Sequence, residues 1–305
     1  MNLFKLGCEK LPLTYIQWND ASSLFALFIS IIGFIINSFI TQIFIKYSNT
    51  CVVKSTTKEL SFIILAGVYL SYLMTIPLIL KPTLITCYLY RVLPGFSLSL
   101  MYGALLTKTN RIARILSRSK KIILTHKPRF MSLTSQIFIT CAIISVECAL
   151  IVSVFILEPG SYEVNYPQRN SAKLQCFNSR WSIIGPLGYN MMLVALCTIY
   201  AVRTRNLPEN FNEAKFIGFS MYTTCVIWIA FIPLYFGSDF KVLSLCLCTS
   251  FSATVILIFL FMPKVYIILF KPEKNQRSAF ATSKDIRCHF GSSSTQSNNL
   301  IEPEK

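Results

Sequence analysis

The stretch SSLFALFISIIGFIINSFITQIFI (22–45) contains no charged side chain from end to end. A hydrocarbon layer of about 30 Å needs about 20 residues of α-helix at 1.5 Å each, so this run is long enough to cross it. Six further runs meet the same test, at roughly 60–80, 86–108, 132–156, 182–202, 216–237 and 242–264. The third is the least apolar because it carries Arg91, one turn from its expected start, where a long side chain can snorkel to the headgroups. The expectation is an all-α membrane protein, a seven-transmembrane helix bundle.

Composition supports this. Hydrophobic residues make up 53% of the 305 and charged residues 14%, against about 25% charged in soluble domains. The net charge of +16 raises the question of nucleic acid. The basic residues, however, sit in short segments between apolar runs, as cytoplasmic loops do, so no nucleic-acid partner is expected.

Loop charge also gives an orientation. With the N-terminus outside, eight basic residues fall outside (Lys5, Lys10, Lys81, Arg91, Arg169, Lys173, Arg180 and Lys241), and the remaining 21 of 29 fall inside. The positive-inside rule then predicts an external N-terminus and a cytoplasmic C-terminus. Three segments are expected: an extracellular 1–20, a helical 21–270 and a cytoplasmic tail 271–305. Residues 1–20 lack the apolar stretch and cleavage site of a signal peptide.

Most of the 11 cysteines lie inside apolar runs and read as small buried hydrophobes. Cys87 and Cys176 differ, since both fall on the outer side of this topology. In an oxidising compartment they are the pair that would tie the longest outer loop to the top of the third helix; the alternative is two free thiols.

Short loops make the helices sequential neighbours in one bundle. Pro77, Pro94, Pro186 and Pro233 lie within runs, where each removes a backbone hydrogen bond and can kink its helix. Within the tail, 273–290 is mixed and basic, whereas GSSSTQSNN (291–299) has the composition of a disordered segment. The basic stretch suits anionic lipid or an acidic regulator, or is simply a solvated juxtamembrane segment.

Several strings carry a family likeness. LLTKTNRIARIL (105–116), SKK (119–121) and KPRFMS (127–132) resemble the third helix and second inner loop of metabotropic glutamate receptors. PLGYN (186–190), NFNEAK (210–215), MYTTCVIWIAF (221–231) and PKVYII (263–268) are similar to that family's fifth to seventh helices. KPEKNQRSAFATS (271–283) looks like the start of the tail in group I members, closest to subtype 5. The resemblance is collinear over nearly the whole chain and implies a class C G-protein-coupled receptor core in the plasma membrane. LGCEKLPLTYIQW (6–18) resembles the end of the family's cysteine-rich module, with Cys8 at its last cysteine. The glutamate-binding extracellular domain is expected to be absent from this sequence, leaving Cys8 a stranded half-cystine; a free cysteine in a natural short protein is the other reading.

The resemblance also implies sites. Lys108 and Glu213 match the family's ionic lock between the inner ends of helices three and six, with Thr57 supplying a hydroxyl where serine is usual. A lysine and a carboxylate about 4 Å apart attract by roughly 4 kcal/mol at an effective dielectric of about 20. Desolvation and screening reduce that to about 1–2 kcal/mol, a roughly tenfold bias, whereas reversing a 1:99 equilibrium takes about 5.5 kcal/mol. The alternative is two solvated loop charges. Tyr102, Asn190, Thr224, Trp228, Phe231 and Ser252 match the family's allosteric modulator pocket, with Gly67 and Ala253 at small floor positions. Pockets between bundle helices have this apolar-with-few-polar make-up, although ordinary helix packing accounts for any one of these residues. Leu98 and Cys248 depart from the proline and serine usual in subtype 5, which puts the known modulators in doubt. Lys120, Lys121, Lys127, Arg129, Arg203 and Arg205 form the basic face expected to meet a heterotrimeric G protein, of the Gq class if the group I likeness holds.

An enzyme is not expected, nor any cofactor or metal. The two histidines, His126 and His289, lie in cytoplasmic segments with no metal-spaced cluster. Glu147 is the one carboxylate in a run away from its ends, and alone it cannot run acid–base chemistry with a partner. A channel or transporter would need several pathway charges or broken helices. A dimerising, non-signalling decoy is the remaining alternative, since class C receptors act as homodimers or heterodimers.

Overall fold

The computed structural model describes residues 13–15, 20–50, 53, 57–119, 132–168, 171–177, 179–204, 212–237 and 241–271. Among them, seven helices are long and apolar enough to cross a membrane. They are α1 (Ala21–Lys46), α2 (Lys58–Ile79), α3 (Leu84–Ser119), α4 (Leu133–Leu157), α5 (Arg180–Thr204), α6 (Asn212–Gly237) and α7 (Lys241–Phe270).

The bundle turns apolar side chains outward. On α4, Phe138, Ile156 and Leu157 are each at least 75% exposed, while its buried stripe is Gln136, Thr140, Glu147 and Ile151. In water that distribution would be inverted; in hydrocarbon it is expected, because lipid tails are as apolar as Leu and helices associate through close packing and hydrogen bonds. The interior bonds agree. Ser30 and Thr75 share a hydrogen bond at 2.5 Å and Thr75 meets Cys246 Sγ at 3.1 Å, which joins α1, α2 and α7. Asn37 Nδ2 donates to the Leu65 carbonyl, Thr140 to Thr107, and Tyr189 to the Ile143 carbonyl. Close approach is visible at Gly33, whose missing Cβ leaves the space occupied by the Tyr72 ring; Tyr72 Oη then reaches Thr254 on α7 at 2.8 Å.

Two helices break where proline requires it. The regular turns of α2 stop at Leu73 and resume over Thr75–Ile79. Pro77 explains the break, since its ring collides with the carbonyl four residues back, that of Leu73. In α7 the stretch Leu257–Phe261 is a π-helical turn that ends two residues before Pro263. Pro94, Pro186 and Pro233 lie inside otherwise continuous helices.

One end of the bundle carries a small sheet that the sequence did not announce. Strands β2 (Ser161–Gln168) and β3 (Ser171–Phe177) form an antiparallel hairpin in the register Tyr162↔Cys176, Glu163↔Gln175 and Val164↔Leu174. The short β1 (Leu13–Thr14) adds in parallel to β3, with Thr14 Oγ1 donating to the Ala172 carbonyl at 3.1 Å. A disulfide joins Cys87 at the start of α3 to Cys176 of β3, with Cα atoms 5.5 Å apart. Arg91 does not snorkel to headgroups as expected. It is 5% exposed and donates to the carbonyls of Glu158 and Phe177, both at 2.6 Å, because the hairpin folds back over the head of α3 and offers it fixed acceptors.

Candidate functional site

The end of the bundle opposite the hairpin holds a buried ion cluster. Lys108 lies on α3 and Glu213 in the first turn of α6, and their charged atoms stand 3.3 Å apart. Lys108 is 3% exposed, so its ammonium must find partners inside the protein. It donates to Glu213 Oε1 and, at 3.1 Å, to Ser61 Oγ on α2. The Ser61 hydroxyl in turn donates to the Thr57 carbonyl at 3.3 Å. Thr57, expected to supply a hydroxyl, is buried at the N-cap of α2 with a left-handed backbone (φ 52°), and Ser61 lies one turn on. A second cation joins from α7: Lys264 Nζ donates to the same Glu213 Oε1 at 2.6 Å. Four helices therefore meet at one carboxylate group and its two lysines.

Sequence reasoning missed Ser61 and Lys264. Ser61 shares the helical face of Thr57 at i+4, a usable signal. Lys264 stands at the end of an apolar run, where a lysine ordinarily reports only topology.

Midway along the bundle, the Tyr102 hydroxyl is surrounded by Ser252, Trp228 and Thr224. All four side chains are at most 3% exposed, and Tyr102 Oη, Thr224 Oγ1, Trp228 Nε1 and Ser252 Oγ have no partner in full hydrogen-bond geometry. These four groups, brought from α3, α6 and α7, lie close enough to influence one another. Phe231 stacks edge-on against Trp228 with centroids 5.2 Å apart. Asn190 is turned elsewhere, donating to the carbonyls of Gly95 and Pro186 at 3.2 and 3.0 Å. Gly67 belongs to the α2–α3 seam: a Cβ there would meet Met101 Cγ at 2.7 Å and the Ser97 carbonyl at 2.9 Å. Ala253 is fully buried.

Glu147 of α4 is 0% exposed, and its polar neighbour is Asn190. Its carboxylate fills the space left by the absent side chain of Gly95, next to Pro186. Of the basic face, Arg203 is exposed in the last turn of α5. Lys120, Lys121, Lys127, Arg129 and Arg205 lie outside the described residues, as do Cys8 and the basic tail.

A seven-helix bundle with one disulfide-anchored end and a charged contact gathering four helices at the other has the form of a transmembrane receptor core. The family described as "7 transmembrane sweet-taste receptor of 3 GCPR" matches residues 16–264, and the chain belongs to this family, the class C G-protein-coupled receptors. It is similar to the metabotropic glutamate receptor of Drosophila melanogaster, 41% identical over 93% of this chain and 29% of that protein. It is also similar to metabotropic glutamate receptor 8 of Mus musculus and of Rattus norvegicus, each 39% identical over 90% of this chain and 32% of theirs. The chain thus spans about a third of the length of the curated relatives it matches. The family is one of plasma-membrane receptors, not of enzymes.

Proposed function

We propose that the chain is a signal-transmitting core whose resting state is held by the Lys108–Glu213 contact and whose active state releases it toward a heterotrimeric G protein. The observation that carries this reading is that Glu213 bridges α6 to both α3 and α7 through one oxygen atom. Such a joint has two discrete arrangements, made and broken, which a two-state switch needs. The hairpin end faces outside and the lock end the cytoplasm, in line with loop charge. Arg203, with the lysines and arginines of the second inner loop, forms the docking face.

The finer reading is group I-like, with Gq-class coupling; it rests on the inner-loop and tail strings from 105 to 132 and from 271 to 283. Glutamate is the agonist suggested by the relatives' names, and no residue described above is assigned to it. The Tyr102–Thr224–Trp228–Ser252 group is the proposed modulator pocket, on the family likeness and on the convergence of buried polar groups from three helices, the kind of placed polar groups that orient a small ligand. A homodimer, or a heterodimer with a related receptor, is the proposed assembly.

The test is nucleotide exchange on purified Gq, Gi and Gs heterotrimers by the full chain reconstituted in lipid. Exchange on the Gq class, raised several-fold by Lys108→Glu, is the expected result. Exchange on Gi alone would remove the group I reading. Ion flux without exchange on any heterotrimer would remove the receptor reading, and silence in both would favour a dimerising decoy.

A further inference from the structure

Among the described residues Glu147 is the only carboxylic acid that is fully buried, and it takes no part in the charged cluster. It lies about 15 Å of helix below Leu157, the last residue of α4 at the hairpin end. Its carboxyl group occupies the space of the missing Gly95 side chain, against Pro186. Two helices packed on α4 bring titratable or charged groups toward it. From α5, Tyr189 gives its hydroxyl to the Ile143 carbonyl at 2.8 Å. From α3, Arg91, one turn beyond Gly95, gives its guanidinium to the Glu158 and Phe177 carbonyls.

The polar neighbour decides what form of the acid fits. Asn190 donates through Nδ2 to the carbonyls of Gly95 and Pro186, which uses both of that nitrogen's hydrogens. What Asn190 has left for Glu147 is Oδ1, an acceptor. A carboxylate offers only acceptors in return, whereas a protonated carboxyl has an O–H to donate. A site closed to solvent also penalises the bare charge.

A route for the proton lies alongside. Between α3, α5 and α7 there is a cavity with about 20 Å³ of room for water, and one molecule needs about 10–15 Å³. Gly95 and Pro186, which flank the Glu147 carboxyl, line it, and so do Ser182, Arg91 and Tyr90 nearer the hairpin end.

We propose that Glu147 is a proton-binding site: it is loaded as the neutral acid beside Asn190, and it exchanges its proton with the medium at the hairpin end through water in this cavity. Unloading moves the proton from the carboxyl to a cavity water and leaves a carboxylate among α3, α4 and α5, which loosens their packing. The site stands apart from the charged cluster and does not depend on the switch reading.

The experiment uses the full chain in lipid nanodiscs and infrared spectroscopy, in which a protonated carboxyl has its own carbonyl band, shifted by deuteration. At neutral pH the parent is expected to show such a band and Glu147→Gln to lack it, while Glu213→Gln keeps it. Glu147→Met is read the same way if the glutamine variant does not fold. Raising the pH is expected to abolish the band in the parent, because ionisation removes the carbonyl that gives it. After transfer to D2O, Ser182→Leu, which fills the cavity from α5, is expected to slow the shift about tenfold, since exchange then needs local opening of the bundle. Ile183→Phe is the second filling variant.

A parent spectrum with no band that Glu147→Gln removes would mean an ionised Glu147 and would overturn the proton site. If the band is present but both filling variants exchange as fast as the parent, the cavity is not the route, and that half of the assignment falls.

Discussion

Individual residues here are governed by how costly it is to leave a polar group unmatched in a low-dielectric interior. Glu147 is the extreme case, with both carboxylate oxygens buried and Asn190 as its polar neighbour. A negative charge there has nothing to balance it among the described residues, and an uncompensated buried charge costs several kcal/mol. Glu147→Gln keeps the volume, removes the charge and adds two donors that Asn190 Oδ1 can accept from. The expected outcome in detergent is a melting temperature equal to or a few degrees above that of the parent. Glu147→Lys, longer and fixed in charge, is expected to destabilise by about 3 kcal/mol or more, enough to prevent recovery of folded protein. A glutamine variant that melts far below the parent would show that Glu147 is balanced by a cation. The sequence flagged Glu147, because a lone acid inside an apolar run stands out. It did not reveal that Gly95 opens the space for it, since a glycine in one helix says nothing about which helix passes it.

Elements were legible where hydrophobicity alone decides them. The run 22–45 became Ala21–Lys46, and 132–156 became Leu133–Leu157. The third run, expected to end at 108, continues to Ser119, because TNRIARILSRS holds no glycine or proline and a helix does not stop merely by leaving the apolar layer. The β2–β3 hairpin was hidden for the opposite reason. Its alternation of Tyr162, Val164 and Tyr166 is short and interrupted by Pro167, and the hairpin is tied to the bundle by side chains that no local pattern exposes. Arg91 is the main such tie besides the disulfide. A hydrogen bond from a charged donor is worth about 1.5–3 kcal/mol, and Arg91 makes two to the hairpin's base. Arg91→Met should therefore speed amide exchange in Leu174–Phe177 at least tenfold while the Cys87–Cys176 bond persists. Unchanged exchange there would mean that the disulfide alone holds the hairpin.

At the scale of the whole molecule, α3 is the element common to both ends. Cys87 and Arg91 fasten its head to the hairpin, Tyr102 sits midway among buried polar groups, and Lys108 closes the far end. From Cys87 to Lys108 the helix rises about 32 Å at 1.5 Å per residue, close to the thickness of a bilayer core. A displacement of the hairpin thus has a continuous path to the charged cluster, but the cluster is held from the sides as well, by α2, α6 and α7. On the proposed switch, weakening the cluster by about 1–2 kcal/mol would shift a 1:99 equilibrium only roughly tenfold, leaving α3 anchored at its head while the far end loosens. The two ends should accordingly separate in hydrogen exchange. Glu213→Gln is expected to speed exchange in the first two turns of α6 about tenfold and to leave the β2–β3 amides at the parental rate. Cys176→Ser is expected to do the reverse. Acceleration at both ends by either single variant would show that the bundle moves as one cooperative unit, with its resting state set by packing along α3 and not by the charges at its tip.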